Sequence, residues 1–120
     1  MTEHQQTELA HIETLVDTAF EEILEKESPA FRDMIKRTHI RVLWDSPEHD
    51  RYGDFFGVSL AASDGSNLTP PDIVVYARPI IEQFGLHGNH VMEQITKTLM
   101  HEIGHYLGLD HPALKERGWA

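Results

Sequence analysis

Near the end of the 120-residue chain stand His101, Glu102 and His105, followed by Gly108 and His111. Histidines four apart on a helix project from one face, about one turn apart. Two imidazoles placed this way bind one small cation through neutral nitrogens, and zinc is the default for a histidine-rich site. A glycine three residues on lets the chain leave the helix and turn sharply, which brings His111 back as a third ligand. Three protein ligands leave a fourth position for water, as in a catalytic rather than a structural zinc site. Glu102 lies roughly 100° round the helix from His101. From there its carboxylate can reach that water, take its proton and later give it to a leaving amine. The chemistry these residue types could do is therefore metal-assisted hydrolysis of an amide, with Zn2+ on His101, His105 and His111 and Glu102 as general base.

Histidine is common in this chain, nine of 120 residues. Composition alone gives His-Glu-x-x-His somewhere on the order of 5% of the time. Adding the glycine and the third histidine lowers this to roughly 0.03%, so the extended pattern carries the weight. Thr98 shares the helical face of the two histidines and Asp110 adjoins the third. Both are candidates to orient the ligands, although an ordinary polar surface place suits each as well. Tyr76 and Tyr106 could stabilise a developing oxyanion; nothing in their spacing chooses between them, and packing in the core is the plainer role. His4, His11, His39, His49, His87 and His90 have no ligand spacing around them and read as surface residues.

The elements that must position these groups follow from periodicity. Leu9, Ile12, Val16, Ala19, Phe20, Ile23 and Leu24 recur at spacings of three and four, which predicts an amphipathic helix over residues 7–26. Ser28-Pro29 signals a helix start, and a short helix to residue 36 would bury Phe31, Met34 and Ile35. In residues 39–45 Ile40, Val42 and Trp44 alternate with His39, Arg41 and Leu43, a strand pattern. Residues 48–54 read as a polar turn. Phe56, Val58 and Leu60 alternate and suggest a second strand, and residues 62–71 a loop. Residues 72–77 read as a third strand, stopped by Pro79, which can open a helical turn through Phe84. If that strand is a sheet edge near the metal, its backbone could pair with an extended peptide. A helix over residues 90–107 carries Val91, Ile95, Leu99, Ile103 and Tyr106 on or near one face. Gly108 ends it, and a last turn runs to Arg117. Three short strands cannot bury both faces alone, so the helices must cover one, giving a small α+β domain over residues 1–120.

The formal net charge is −10, and an acidic surface repels phosphate backbones, so nucleic acid is not expected as a partner. There are no cysteines, which excludes disulfides, thiolate metal sites and cysteine nucleophiles. The first residues lack the basic start and apolar run of a signal peptide, and no stretch approaches the roughly 20 apolar residues that span a bilayer. These features lead to the expectation of a cytoplasmic protein that does not engage a membrane. Its oligomeric state is not legible.

At His101-Glu102-x-x-His105-x-x-Gly108-x-x-His111 the chain resembles the zincins, and the extended motif resembles that of the metzincins. Metzincins place a methionine turn after the third histidine; none of the nine residues after His111 here is Met, so a standard metzincin is not expected. A closer resemblance is to the minimal zincin-like bacterial metallopeptidases. It takes in the opening helix, Ser28-Pro29-Ala30-Phe31, the strand over residues 40–44, Gly57-Val58-Ser59-Leu60, the segment from Pro71 to Pro79, and the metal-motif helix. The resemblance implies a compact zincin core, with a three-stranded sheet packed on an N-terminal helix and a C-terminal active-site helix. It also implies peptidase activity on a peptide or protein substrate. Members commonly carry a carboxylate where this chain has His111, which leaves Asp110 beside His111 as an alternative third ligand. The motif also resembles that of the endoribonucleases of ribosomal RNA maturation, whose three histidines end in a Gly-x-Asp-His phrase like Gly108-Leu109-Asp110-His111. Those enzymes usually have glycine at the position of Glu102. A metal-dependent endoribonuclease and a non-catalytic metal-binding module are thus the alternatives to a zinc metallopeptidase.

Overall fold

The computed structural model describes residues 1–48, 50–59 and 71–119. The opening helix, α1, spans Glu3–Lys26 and starts earlier than its apolar stripe. The reason is a cap: the Thr2 hydroxyl accepts from the Gln5 backbone N–H, and the Gln5 side chain accepts from Thr2 N–H. Reciprocal bonds of this kind satisfy two donors that a helix start leaves unpaired. Ile12, Val16, Ala19 and Ile23 are the buried line of the stripe, with Leu9, Phe20 and Leu24 packed beside them. The next helix, α2, spans Pro29–Ile35, with Ser28 as its cap. It buries Ile35 and half-buries Phe31, but Met34 stays exposed, contrary to expectation.

Three strands follow: β1 (His39–Leu43), β2 (Gly53–Phe56) and β3 (Asp72–Tyr76). The sheet order is β1-β3-β2, with β1 parallel and β2 antiparallel to β3. This corrects two expectations. The strand expected at β3 is not an edge but the centre, hydrogen-bonded on both sides, so it has no backbone edge to offer a peptide. Its unbroken Ile73-Val74-Val75-Tyr76 run is buried on both faces, as a central strand requires. The second strand lies earlier than expected, at residues 53–56, inside what reads as a polar turn. Phe56 and Val58, whose alternation suggested a strand, are exposed. Leu60, the loop expected up to residue 70 and His49 lie outside the described residues.

The chain passes from β3 straight into α3 (Ala77–Phe84), so Pro79 sits in the first turn, where its missing N–H is harmless. Next, α4 (Asn89–Tyr106) lays Val91, Ile95, Leu99 and Ile103 against α1 and the sheet. A short α5 (His111–Glu116) closes the described fold. Among the described residues the architecture is α+β, five helices with a small three-stranded sheet. Among the described residues no helix is long and apolar enough to cross a membrane.

One histidine expected at the surface is instead half-buried. His11 Nε2–H donates to the Leu86 carbonyl at 2.7 Å, and its ring lies 4.9 Å from that of His87. This ties α1 to the turn that launches α4.

Candidate functional site

The end of α4 decides where the third histidine goes. Gly108 adopts φ 86°, a left-handed conformation that disfavours a side chain. Its N–H donates to the His105 carbonyl at 3.0 Å, and Leu109 N–H to the Gly104 carbonyl at 2.9 Å. This pair of bonds, one spanning three residues and one spanning five, forms a Schellman turn. Asp110 then caps α5, its Oδ1 accepting from Ala113 N–H at 2.9 Å. His111 is the first residue of α5. Turn and cap together fold α5 back beside α4.

The result is a cluster of three imidazoles. Ring centroids lie 4.6 Å apart for His101 and His105, 5.6 Å for His105 and His111, and 6.0 Å for His101 and His111. The Nε2 atoms of His101 and His105 are 3.1 Å apart. Two nitrogens on one tetrahedral zinc, each at about 2.0–2.1 Å, would be separated by roughly 3.3 Å. The donor set and this spacing fit zinc. No three His, Asp or Glu side chains among the described residues stand close enough together to hold a metal ion as they are. His111 is exposed, and its ring is the farthest from the other two.

The orientation of His101 has a source that its neighbours in sequence do not reveal. Its Nδ1 faces the Trp119 carbonyl at 3.2 Å. A carbonyl only accepts, so the proton sits on Nδ1 and the Nε2 lone pair faces the cluster. Trp119 is itself held by a bond from its N–H to the Leu114 carbonyl and by its ring against Phe31 at 5.9 Å. Neither Thr98 nor Asp110, the candidates to orient the histidines, holds one of the three imidazoles in this way. Thr98 is buried, accepts from Gln94 Nε2, and presses its methyl towards Gly53. Asp110 is engaged as the cap of α5. Burial, and the charges His101 and His111 would carry, hold His105 below the usual histidine range, so its neutral form is favoured.

Glu102 is buried, and desolvation pushes its pKa up to about 7; nearby Asp54 adds to the rise and Arg51 opposes it. A cation on the neighbouring histidines would act in the same sense as Arg51. Tyr76 and Tyr106 are core residues. The Tyr76 hydroxyl donates to Asp54 Oδ2 at 2.8 Å, and the Tyr106 ring lies against Phe55 at 5.9 Å.

Two glycines that carried no signal in the sequence set the close approaches. A Cβ on Gly53 would stand 2.7 Å from Thr98 Cγ2 and 2.9 Å from the Val74 carbonyl oxygen. Its absence lets β2 lie directly on α4. A Cβ on Gly104 would meet Leu114 Cδ2 at 2.1 Å, so α5 reaches α4 at that point. The first of these contacts floors a cleft between α4 and β2. It has two lobes, of about 370 and 590 Å3, which share Arg51, Gly53, His101 and Glu102. The smaller runs towards Gln94 and Lys97, the larger towards Phe55 and His105.

The model of the zincin-like metallopeptidases matches residues 30–119. The chain belongs to this family. The matched stretch covers three quarters of the chain, including all three strands and the helix of the histidine motif. α1 precedes it, so the expected likeness of the opening helix is not part of the match. No curated protein matches the chain. Membership in the zincin-like metallopeptidases implies zinc and supports hydrolytic, peptidase chemistry.

Proposed function

We propose that this zincin-like protein is a zinc-dependent peptidase, with His101, His105 and His111 as the metal ligands and Glu102 as the general base. The observation that carries the reading is the convergence of three imidazoles within 6.0 Å of one another beside a buried carboxylate in an open cleft. Zinc held there would supply Lewis acidity to the attacking water and the scissile carbonyl. Glu102 takes the proton of the water and returns it to the departing amine. Its burial holds the carboxylate in a place where few competing donors reach it. The Trp119 carbonyl favours the His101 tautomer that carries its proton on Nδ1, which would leave Nε2 free to hold the ion. β2 is an edge of the sheet and borders both lobes, so an extended substrate can lie along its outer backbone.

The test is Glu102→Gln in zinc-loaded protein. Metal analysis should give about one zinc per chain in the wild type and in the variant. Cleavage of a mixed peptide pool should fall by about 100-fold or more in the variant, the range for loss of a general base. Equal cleavage by Glu102→Gln would remove Glu102 from the mechanism. A wild type that binds zinc and cleaves no peptide would favour the non-catalytic metal-binding module.

A further inference from the structure

The two lobes of the cleft differ in charge. Both are lined by Arg51 and Glu102; the larger adds the carboxylate of Asp54. The smaller adds the ammonium of Lys97, and among the described residues Glu102 is its one carboxylate. In a chain with ten Lys and Arg against twenty Asp and Glu, two cations on one small lobe stand out from the acidic background.

The two cations are held differently. Arg51 is pinned: Nη1 bonds Asp54 Oδ1 at 2.7 Å and Nη2 bonds Glu48 Oε2 at 3.1 Å. Asp54 is anchored in turn by the Tyr76 hydroxyl. These two carboxylates fix the guanidinium at the rim and formally offset its charge, so Lys97 is the cation that sets this lobe apart. Lys97 is exposed and makes no ion pair among the described residues. It stands on α4 one turn before His101, so a group that its ammonium reaches lies close to the scissile position.

We propose that the Arg51–Lys97 lobe is a carboxylate subsite, which makes the enzyme select substrates with an acidic group on one side of the bond it cuts. This rests on the peptidase reading of the adjoining site. A carboxylate can come from an Asp or Glu side chain or from the C-terminus of the substrate, and both present the same two oxygens to the cations. A side chain fits within 370 Å3. A polyanionic strand fits poorly, because Asp54, Glu102 and the net charge of −10 repel its remaining phosphates.

The experiment uses zinc-loaded wild type and alanine-based peptides with the central amide reduced to –CH2–NH–, so that they bind but are not cut. One residue at a time is Glu, Gln or Lys, with either an amidated or a free C-terminus; fluorescence anisotropy reads Kd. Matched all-amide peptides read cleavage. At one position Glu should bind about five- to tenfold tighter than its isostere Gln, the scale of a partly exposed charge-assisted contact. If the free C-terminus gives the gain instead, the C-terminal carboxylate is the ligand. Lys97→Gln should bring Glu and Gln together, and Lys97→Glu should put Lys ahead of Glu. Equal Kd for Glu and Gln at every position, or an order unmoved by Lys97→Glu, would overturn the subsite, and so would a single-stranded RNA oligomer that binds more tightly than every acidic peptide. Cleavage without acidic preference would sink the subsite and leave the peptidase. Acidic preference in binding without cleavage would do the reverse. Failure of every peptide to bind would end both.

Discussion

Gly53 shows how much of the cleft rests on a missing methyl group. Its place in β2 would normally favour a residue with a Cβ, by roughly 0.5–1 kcal/mol over glycine. Here that Cβ would stand 2.7 Å from Thr98 Cγ2 and 2.9 Å from the Val74 carbonyl oxygen. The first atom belongs to a stiff β-branched side chain and the second to the backbone of the central strand, so neither gives way cheaply. Overpacking of this kind costs about 1–3 kcal/mol. Gly53→Ala should therefore lower unfolding free energy by about 1–2 kcal/mol in urea titration. Thr98→Ser in the same chain removes the offending methyl and should restore part of the loss. No rescue would show that the Thr98 contact does not limit the approach. Residues of this sort were not legible in the sequence. Gly53 lies in a polar stretch that reads as a turn, and Thr98 reads as exposed. Their roles depend on a neighbour from another element. The imidazoles and Glu102 were legible because their spacing lies within one helix and the turn that follows.

At the level of elements, the α4–α5 junction carries the question of the third ligand. Two neighbours compete for it, Asp110 and His111. The Asp110 side chain is committed to the first turn of α5, with Oδ1 on Ala113 N–H. His111 stands next to it with its ring 5.6 Å from that of His105. Asparagine caps helices about as well as aspartate. Asp110→Asn should then keep both the fold and zinc affinity, whereas His111→Ala should weaken zinc binding by at least tenfold in a competition titration, with thermal stability of the metal-free protein nearly unchanged. Loss of zinc with Asp110→Asn and retention with His111→Ala would transfer the ligand role to Asp110. The sequence signals the junction well, because a glycine after the last helical turn followed by Asp-x-Pro has local physical meaning. The Trp119 carbonyl that orients His101 has no such signal, since a backbone oxygen looks alike in every residue. The sheet was legible in part. β1 showed its alternation, and β3 showed an apolar run that reads as a strand, although its central place in the sheet was not read from it. β2 was misplaced because only Phe55 of its four residues is a half-buried apolar group, while exposed Phe56 and Val58 mimic alternation.

Across the whole molecule, one chain of contacts links the sheet to the cleft: the Tyr76 hydroxyl to Asp54, and Asp54 to Arg51 at the lobe rim. Tyr76 is buried at the end of the central strand, and its N–H also donates to the Tyr52 carbonyl, which fixes the start of β2. Burial, with the Asp54 carboxylate facing it, pushes the Tyr76 hydroxyl up to about 12 from an ordinary 10. A pKa raised on folding means that the folded state holds the proton more tightly than the unfolded chain. The associated stability is complete below pH 10 and is lost as pH rises through 12, on the order of 2–3 kcal/mol over that window. Tyr76→Phe has no proton to lose. At pH 7 the variant should be about 1 kcal/mol less stable, because the hydrogen bond to Asp54 is gone. Between pH 10 and 12 the wild type should lose more than the gap at pH 7, so the two stabilities should cross near pH 11 and the variant should be the more stable by about 1 kcal/mol at pH 12. Urea unfolding of both proteins at pH 7, 10, 11 and 12 measures that gap directly. A gap that stays constant across the window would mean that the buried hydroxyl does not resist ionisation and that the Tyr76–Asp54 bond does not tie β2 to the sheet.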